Sequence, residues 1–299
     1  GLLPPGVAGL FGAGGADRAA PPRARGPARR AGWPFVLSTG GDRTPAAGVI
    51  GREVPQVEVG TAVVPTYPRH PLMLASQALT AQSANGSRLT LGIGVSHPHI
   101  VEGQLGYSFE RPASHLREYL NVLTPLLRGE AVSFHGEQVT AVGQIDVAAI
   151  SPPSVLVGAL GPAMLRVAGE LSDGTITTWI GPAALDRHIV PVLTRAAAGR
   201  PRPEVVVCLF VGVTDDEEGT RRTLGERYGA AGRIASYRRA LDHEGASGPE
   251  QTAILGDAAA VERRIRRVFD AGATELVAMP LGTPAEQART AELLGTLAG

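Results

Sequence analysis

Short apolar runs alternate with longer segments of helical spacing through most of the chain. Six runs rich in Val, Ile and Thr have the length of buried strands, at residues 57–64, 88–94, 155–159, 174–179, 204–213 and 274–280. Residues of these types favour strands, and runs that are apolar throughout are typical of parallel sheets buried on both faces. We therefore expect the six segments to be strands of one parallel sheet.

Apolar residues recur three or four positions apart in the segments between these runs. Leu116, Leu120, Leu123 and Leu127 give the clearest case. Helices are predicted at residues 71–84, 113–127, 162–171, 182–198, 215–241, 257–269 and 284–297. Each strand is thus followed by at least one helix, which indicates parallel pairing with right-handed crossovers. Both a doubly wound sheet and a (β/α)8 barrel fit this alternation.

The first 47 residues have a different composition. Gly, Pro, Ala and Arg fill 33 of these positions, and proline pairs at residues 4–5 and 21–22 interrupt any periodicity. We expect residues 1–47 to be disordered or to be non-native sequence, such as a misread frame of GC-rich DNA would yield. A targeting peptide and a basic arm for nucleic acid are the alternatives, although the segment contains no continuous apolar core of a signal peptide. The folded domain is expected to span residues 48–299.

Charge and hydropathy narrow the classes of partner. The chain has 28 basic residues, all arginine, and 28 acidic ones, so its formal net charge is zero. Residues 1–47 carry six Arg against two Asp, whereas residues 48–299 carry 22 Arg against 26 acids. This balance argues against a nucleic-acid partner, and the arginine rows at 221–222 and 263–267 stand beside glutamates, as on solvated helix faces. The longest apolar run, residues 205–213, is too short to span a membrane.

The cysteine and histidine content limits the chemistry. Cys208 is the single cysteine, which excludes an intramolecular disulfide and favours a reducing, cytoplasmic compartment. His97 and His99 could bind a metal, but a third ligand at a fixed spacing is missing, so we expect no metal site. Four other histidines are expected on the surface or in turns, namely His115, His135, His188 and His243.

Glycine-containing turns directly after the predicted strands are the candidate ligand site. They lie at residues 60–65, 92–97, 158–162 and 173–179. In parallel α/β proteins the carboxyl ends of the strands form the ligand face, where glycine lets the backbone approach a flat ring or a phosphate. A helix that begins at Pro162, right after such a turn, offers free N–H groups to an anion. The standard dinucleotide and Walker motifs and a Ser-His-Asp arrangement are not found in the sequence.

Taken together, these turns resemble the luciferase-like (bacterial luciferase superfamily) oxidoreductases, in particular the branch that uses the 5-deazaflavin coenzyme F420. The resemblance runs in family order from residue 48 to residue 297. It is carried by GTAVVPTYPRHP at 60–71, LGIGVSH at 91–97, residues 111–112 and 118–120, residues 128–130 and 134–136, LGPAML at 160–165, and residues 168–169 and 173–174.

The resemblance implies a (β/α)8 TIM barrel in which the six predicted strands are the third to the eighth, so that the first two βα units are anomalous or missing. It also implies a non-prolyl cis peptide bond at Thr61-Ala62 or Ala62-Val63. The implied cofactor-binding residues are Thr61, Ala62, Val63, Val95, Ser96, His97, Gly158, Ala159, Leu160, Gly161, Ile176, Thr177 and Thr178. No catalytic residue is implied, because the region before residue 48 matches nothing in the family.

By this resemblance, the expected function is hydride transfer between bound coenzyme F420 and a small organic substrate. A reduced-FMN monooxygenase on the same barrel is the nearest alternative. The alternative from another functional class is an inactive, truncated barrel that binds ligand weakly or not at all. A homodimer is possible, since family members often dimerise through barrel helices.

Overall fold

A curled parallel sheet with helices packed on its outer face forms the body of the protein. The protein's computed structural model describes residues 35–36, 43–54, 57–147 and 151–298. The strands are β1 (Phe35–Val36), β2 (Val59–Thr61), β3 (Val64–Pro65), β4 (Leu89–Gly94), β5 (Val132–His135), β6 (Thr140–Gly143), β7 (Ser154–Gly158), β8 (Gly174–Thr178), β9 (Glu204–Val213), β10 (Ile254–Gly256) and β11 (Glu275–Pro280). The helices are α1 (Arg43–Glu53), α2 (Pro71–Ala84), α3 (Pro98–Val101), α4 (Pro112–Leu127), α5 (Pro162–Leu171), α6 (Pro182–Ala184), α7 (Val190–Ala196), α8 (Glu217–Tyr228), α9 (Ala235–Glu244), α10 (Ala258–Asp270) and α11 (Pro284–Ala298).

Nine of these strands pair in parallel, in the order β1-β2-β4-β7-β8-β9, with β3 beside β4 and both β10 and β11 beside β9. Val211 pairs with Ile254 of β10 and also with Pro280 of β11, so these two strands lie on opposite edges of β9. Within the described residues β1 and β11 each pair on one side, and the sheet stays open between them. The parallel pairing confirms the sequence prediction.

The predicted boundaries agree closely with the observed elements for most of the chain. The six predicted strands are present, and the helices at residues 71–84 and 162–171 match α2 and α5 from end to end. The predicted helix at 215–241 is wrong as a single element, because α8 ends at Tyr228 and α9 begins at Ala235. Gly229 and Gly232 lie in the break, where glycine weakens a helix.

Two described elements begin before residue 48. Strand β1 pairs in parallel with β2, and α1 begins at Arg43 and packs against α2. The helices approach closely at Gly48, where an added Cβ would lie 3.5 Å from the Cα of Ala81. Residues 35–36 and 43–47 thus have regular structure, within the segment for which the sequence predicts disorder or non-native sequence. The rest of the first segment lies outside the described residues, so a domain boundary at residue 48 stays a prediction.

The main core lies between the sheet and the outer helices. Leu91 and Ile93 of β4 pack with the helical stripe of α4, whose Leu116, Leu120 and Leu123 are fully or almost fully buried. Burial of a leucine side chain stabilises the fold by about 1.5–3 kcal/mol relative to exposure. The leucine periodicity of the sequence thus marks the face of α4 that is buried in the core.

Glu118 fixes an antiparallel hairpin, β5–β6, on the outer surface of α4. Its carboxylate accepts hydrogen bonds from the backbone N–H groups of Glu137, Gln138 and Val139, at 3.2, 2.7 and 2.8 Å. Gly136 leaves room for it, since a Cβ there would lie 2.3 Å from Glu118 Oε2. The carboxylate and the glycine are therefore two parts of one contact, although they lie far apart in sequence.

Replacing Glu118 with alanine is expected to lower the free energy of unfolding by about 1–2 kcal/mol, because three N–H groups lose a charged acceptor. Denaturant unfolding measures this change, and hydrogen exchange of the Gln138 and Val139 amides should become faster. Glu130→Ala is the matched control, since Glu130 is exposed. Equal losses in the two variants would show that the carboxylate does not hold the hairpin.

Candidate functional site

The carboxyl edge of the sheet is the candidate site, because the loops after all parallel strands leave from it. Thr61 ends β2 there, and the next peptide bond but one, between Ala62 and Val63, is cis. One of the two positions that the resemblance implies is thereby confirmed. The hydroxyl of Thr61 donates to the carbonyl oxygen of Gly92 and accepts from its N–H, both at 2.9 Å. This side chain therefore joins β2 to β4.

Val63 lies over two glycines of the neighbouring strands β4 and β7. A Cβ built on Gly94 would lie 2.8 Å from Val63 Cγ2, and one built on Gly158 would lie 3.4 Å from Val63 Cγ1. A side chain at position 94 would therefore compete with Val63 for space, whereas a Cβ at position 158 would be in van der Waals contact with it. We call Val63, Gly94 and Gly158 the Val63 cradle. It offers a surface made mostly of main chain at the edge of the sheet.

An apolar layer fills the inner face of the curled sheet beside the cradle. This floor cluster consists of buried Leu156, Ile176, Val206, Cys208 and Val277, with half-buried Ala62, Val63 and Met279 packed against it. Burial raises the pKa of the Cys208 thiol well above its usual range, so the thiol is neutral at pH 7. The half-buried members Ala62, Val63 and Met279 offer a ligand apolar contact, and the buried, neutral thiol is not an available nucleophile.

Strand alternation divides the sequence-predicted residues between two faces of the sheet. Ile176 points inward to the floor cluster, whereas Val95 and Ala159 pack in the core on the helix side. Thr177 is buried and donates to the carbonyl oxygen of Val206 at 3.3 Å. The structure therefore brings the backbones of all these turns to one edge, but not all of their side chains. Thr178 is half-buried at the end of β8.

Three aromatic side chains form a wall at this edge, and we call His97, Trp179 and Tyr237 the aromatic wall. His97 follows β4 after Ser96, whose φ is 64°, and Trp179 follows β8 with a φ of 57°. The Tyr237 ring on α9 lies 5.0 Å from the ring of His97 and 4.8 Å from that of Trp179. Two loops at the strand ends are thus joined to α9 by ring contacts.

The only side-chain hydrogen bond that His97 makes within the described residues is to Tyr237. Nε2 of His97 lies 3.2 Å from the Tyr237 hydroxyl. Burial, with a smaller contribution from His99, lowers the pKa of His97, and burial raises the pKa of Tyr237 to about 12. Both groups are therefore neutral at pH 7.

The turn after β7 opens onto the first residues of α5. Gly161 is exposed, and a Cβ on it would meet nothing within 4 Å. No side chain caps the start of α5, whose first residue is Pro162, so the backbone N–H groups that follow are available to an anion. His188 holds the turn, since its Nε2 lies 2.9 Å from the carbonyl oxygen of Leu160.

Sequence reasoning missed Tyr237, because it placed this residue within one long helix away from the strand ends. The glycines at 229 and 232 are the signal that could have shown the break and the return of the chain toward the site. It was also wrong on His115, which is buried, stacks on Tyr67 at 4.0 Å and has Nε2 3.1 Å from Thr66 Oγ1.

Neither a metal site nor a membrane-spanning helix is present in the part of the chain that the structure describes. Among those residues, no group of three or more His, Cys, Asp or Glu side chains could hold a metal ion. Nor does any described helix combine the length and the apolar character needed to cross a membrane.

Comparison with known sequences identifies the family that the chain matches. The profile of the luciferase-like monooxygenase family matches residues 27–290. A putative coenzyme F420-dependent oxidoreductase of Mycobacterium tuberculosis is 28% identical over 186 residues, which are 56% of this chain and 53% of the relative. An F420-dependent glucose-6-phosphate dehydrogenase of Nakamurella multipartita is 29% identical over 75% of this chain and 67% of its own. The chain thus spans about half the length of the first relative and about two thirds of the length of the second.

Comparison with solved structures identifies the fold. The coenzyme F420-dependent tetrahydromethanopterin reductase of Methanopyrus kandleri has a TM-score of 0.68 at 21% identity and covers 90% of both chains. The oxygenating constituent of 3,6-diketocamphane monooxygenase of Pseudomonas putida, in complex with FMN, has a TM-score of 0.65 at 18% identity and covers 86% of this chain and 83% of its own. Both likenesses confirm the predicted fold class, the luciferase-like TIM barrel.

Proposed function

Because the chain belongs to the luciferase-like monooxygenase family, we propose that it is an oxidoreductase that transfers hydride between bound coenzyme F420 and a small organic substrate. The observation that carries this proposal is the Val63 cradle above an apolar floor, at the edge of the sheet where such barrels bind ligands. The names of the two curated relatives, both F420-dependent oxidoreductases, support the cofactor.

The cradle fits a flat, largely apolar ring. A Cβ at position 94 would clash with Val63, and a Cβ at position 158 would touch it, so the two glycines leave the main chain uncovered around this side chain. Half-buried Ala62 and Met279 extend the apolar surface on either side. We therefore infer that the main chain at the Val63 cradle and at Val95-Ser96 orients the ring, while the floor cluster keeps water from its inner face.

The turn at Gly158–Gly161 fits the anionic part of such a cofactor. A phosphate beside Gly161 would meet the free N–H groups of the first turn of α5, where the helix dipole favours negative charge. Thr178, half-buried at the end of the adjacent strand β8, offers a hydroxyl. These residues would hold the tail, and the hydrogen bond of His188 to Leu160 would fix the turn.

When bound, the deazaflavin itself supplies a carbon that gives or takes a hydride. The protein positions the cofactor ring and the substrate, and it excludes water from the site. A dry apolar floor strengthens the polar contacts of a bound reactant, and the backbone around Val63 holds the ring against one face of the substrate. The cytoplasmic location and the homodimer stay predictions from the sequence.

Purified protein is expected to bind oxidised F420 at least about tenfold more tightly than FMN, since the turns resemble the F420-dependent branch of the family. Fluorescence titration of the two cofactors under the same conditions measures both dissociation constants. Tighter binding of FMN would favour the reduced-FMN monooxygenase instead. Failure of folded protein, as judged by circular dichroism, to bind either cofactor would favour the inactive, truncated barrel.

A further inference from the structure

The aromatic wall contains a polar pair in apolar surroundings. The hydroxyl of Tyr237 and Nε2 of His97 lie 3.2 Å apart, and Trp179 packs on the Tyr237 ring. Behind Trp179, the rings of Tyr228 and Phe210 continue the apolar packing. Burial and, to a smaller extent, His99 lower the pKa of His97, and burial raises the pKa of Tyr237.

This pair lies next to the proposed ring site. Met279 packs against the cluster that contains Trp179 and also against the floor cluster that carries Val63. His97 and Trp179 belong to the loops after β4 and β8, which leave from the edge that holds the cradle. A substrate stacked on the bound ring would therefore lie beside the aromatic wall.

The aromatic wall has hydrogen-bond donors that are available to a ligand. If His97 Nε2–H donates to the Tyr237 oxygen, the Tyr237 hydroxyl proton has no acceptor within the described residues. The indole N–H of Trp179 is buried and also lacks a partner there. Buried donors are nearly always satisfied, by protein, water or ligand. With His97 as the donor, Tyr237 and Trp179, whose rings lie 4.8 Å apart, each carry a donor that no described residue accepts, which points to an oxygen acceptor that enters from outside.

We propose that Tyr237, supported by His97, binds the oxygen of an uncharged carbonyl or alcohol substrate and exchanges a proton with it during hydride transfer, an inference that rests on the proposed function. Among the described residues the pair has no charged hydrogen-bond partner, which favours a neutral oxygen, because a carboxylate or phosphate would need a compensating cation in such apolar surroundings. Tyr237 acts as the general acid or base, and His97 is its positioning residue.

The step is balanced in the reducing direction as follows. The carbonyl carbon gains the hydride, the π electrons of the C=O bond move to the oxygen, and that oxygen takes the hydroxyl proton of Tyr237. The substrate becomes an alcohol and the cofactor is oxidised. His97 Nε2–H stabilises the phenolate by its hydrogen bond until water returns the proton.

Two matched ketones, uncharged cyclohexanone and anionic pyruvate, test the proposal with reduced F420 as hydride donor. We expect wild-type protein to reduce cyclohexanone, with a kcat/KM for pyruvate at least about 100-fold lower. Tyr237→Phe is expected to lower kcat for cyclohexanone about 100-fold, the usual contribution of a general acid. His97→Leu should lower kcat about tenfold, whereas His97→Gln keeps an N–H donor and should stay within about threefold of wild type.

Tyr228→Phe is the matched control, because its hydroxyl makes no hydrogen bond within the described residues. F420 affinity is measured for every variant and should stay the same. If wild-type protein fails to bind F420, the proposed function itself is wrong. If F420 binds but cyclohexanone is not reduced, pyruvate is preferred, or Tyr237→Phe behaves like Tyr228→Phe, the proposal for the pair is overturned while the cofactor assignment stands.

Discussion

Replacing Gly92 with alanine is expected to lower the free energy of unfolding by about 3 kcal/mol or more, at the upper end of the usual overpacking cost. The new Cβ would lie 1.9 Å from the carbonyl oxygen of Thr61, and the backbone of a central strand cannot move away without breaking its pairing. The two hydrogen bonds between Thr61 and Gly92 would be lost with it. Urea unfolding followed by circular dichroism measures the change.

Gly295→Ala provides the control for this variant. Gly295 lies on the exposed side of α11, where an added Cβ meets nothing within 4 Å. Alanine in a helix is more favourable than glycine by about 0.5–1 kcal/mol, so this variant should be slightly more stable than wild type. If Gly92→Ala unfolds at the same midpoint urea concentration as wild type, β2 and β4 are not in close contact.

The sequence predicts the parallel scaffold because its strands and helices have strong local signals. Val205 to Val213 are all buried, as expected for a central strand covered on both faces, and α2 ends where Asn85-Gly86 follows it. The same reasoning fails for short elements. β1, β3 and β10 have two or three residues each, which is too few for a period, and their existence depends on the partner strand alone.

The candidate site could be predicted only in part, because a turn motif specifies a backbone and not the direction of each side chain. The glycine turns correctly indicate which strand ends meet. The resemblance gives two positions for the cis bond, and the structure has it between Ala62 and Val63. Val95 and Ala159, however, pack on the helix side, since alternate residues of a strand face opposite ways. Tyr237 reaches His97 from 140 positions away, a contact that only the tertiary fold creates.

Replacing Gly94 with alanine is expected to weaken F420 binding by about 10–100-fold, the equivalent of a 1–3 kcal/mol overpacking cost. The new Cβ would lie 2.8 Å from Val63 Cγ2. Since Val63 is half-buried and borders the proposed ring site, the easiest relief is a movement of its side chain toward the bound ring. Fluorescence titration with F420 measures the loss, and the decrease in stability should be smaller than that of Gly92→Ala.

Val63→Ala is the matched second variant, because it removes Cγ2, the methyl group that the new Cβ would strike. Alone it should change F420 affinity by less than about threefold, since it loses only a small apolar contact. Combined with Gly94→Ala it should restore most of the affinity, so that the two substitutions are strongly non-additive. Additive losses would mean that Val63 does not transmit the clash. An unchanged affinity in Gly94→Ala would mean that the ring binds elsewhere, because the new Cβ would clash with Val63 in the cradle.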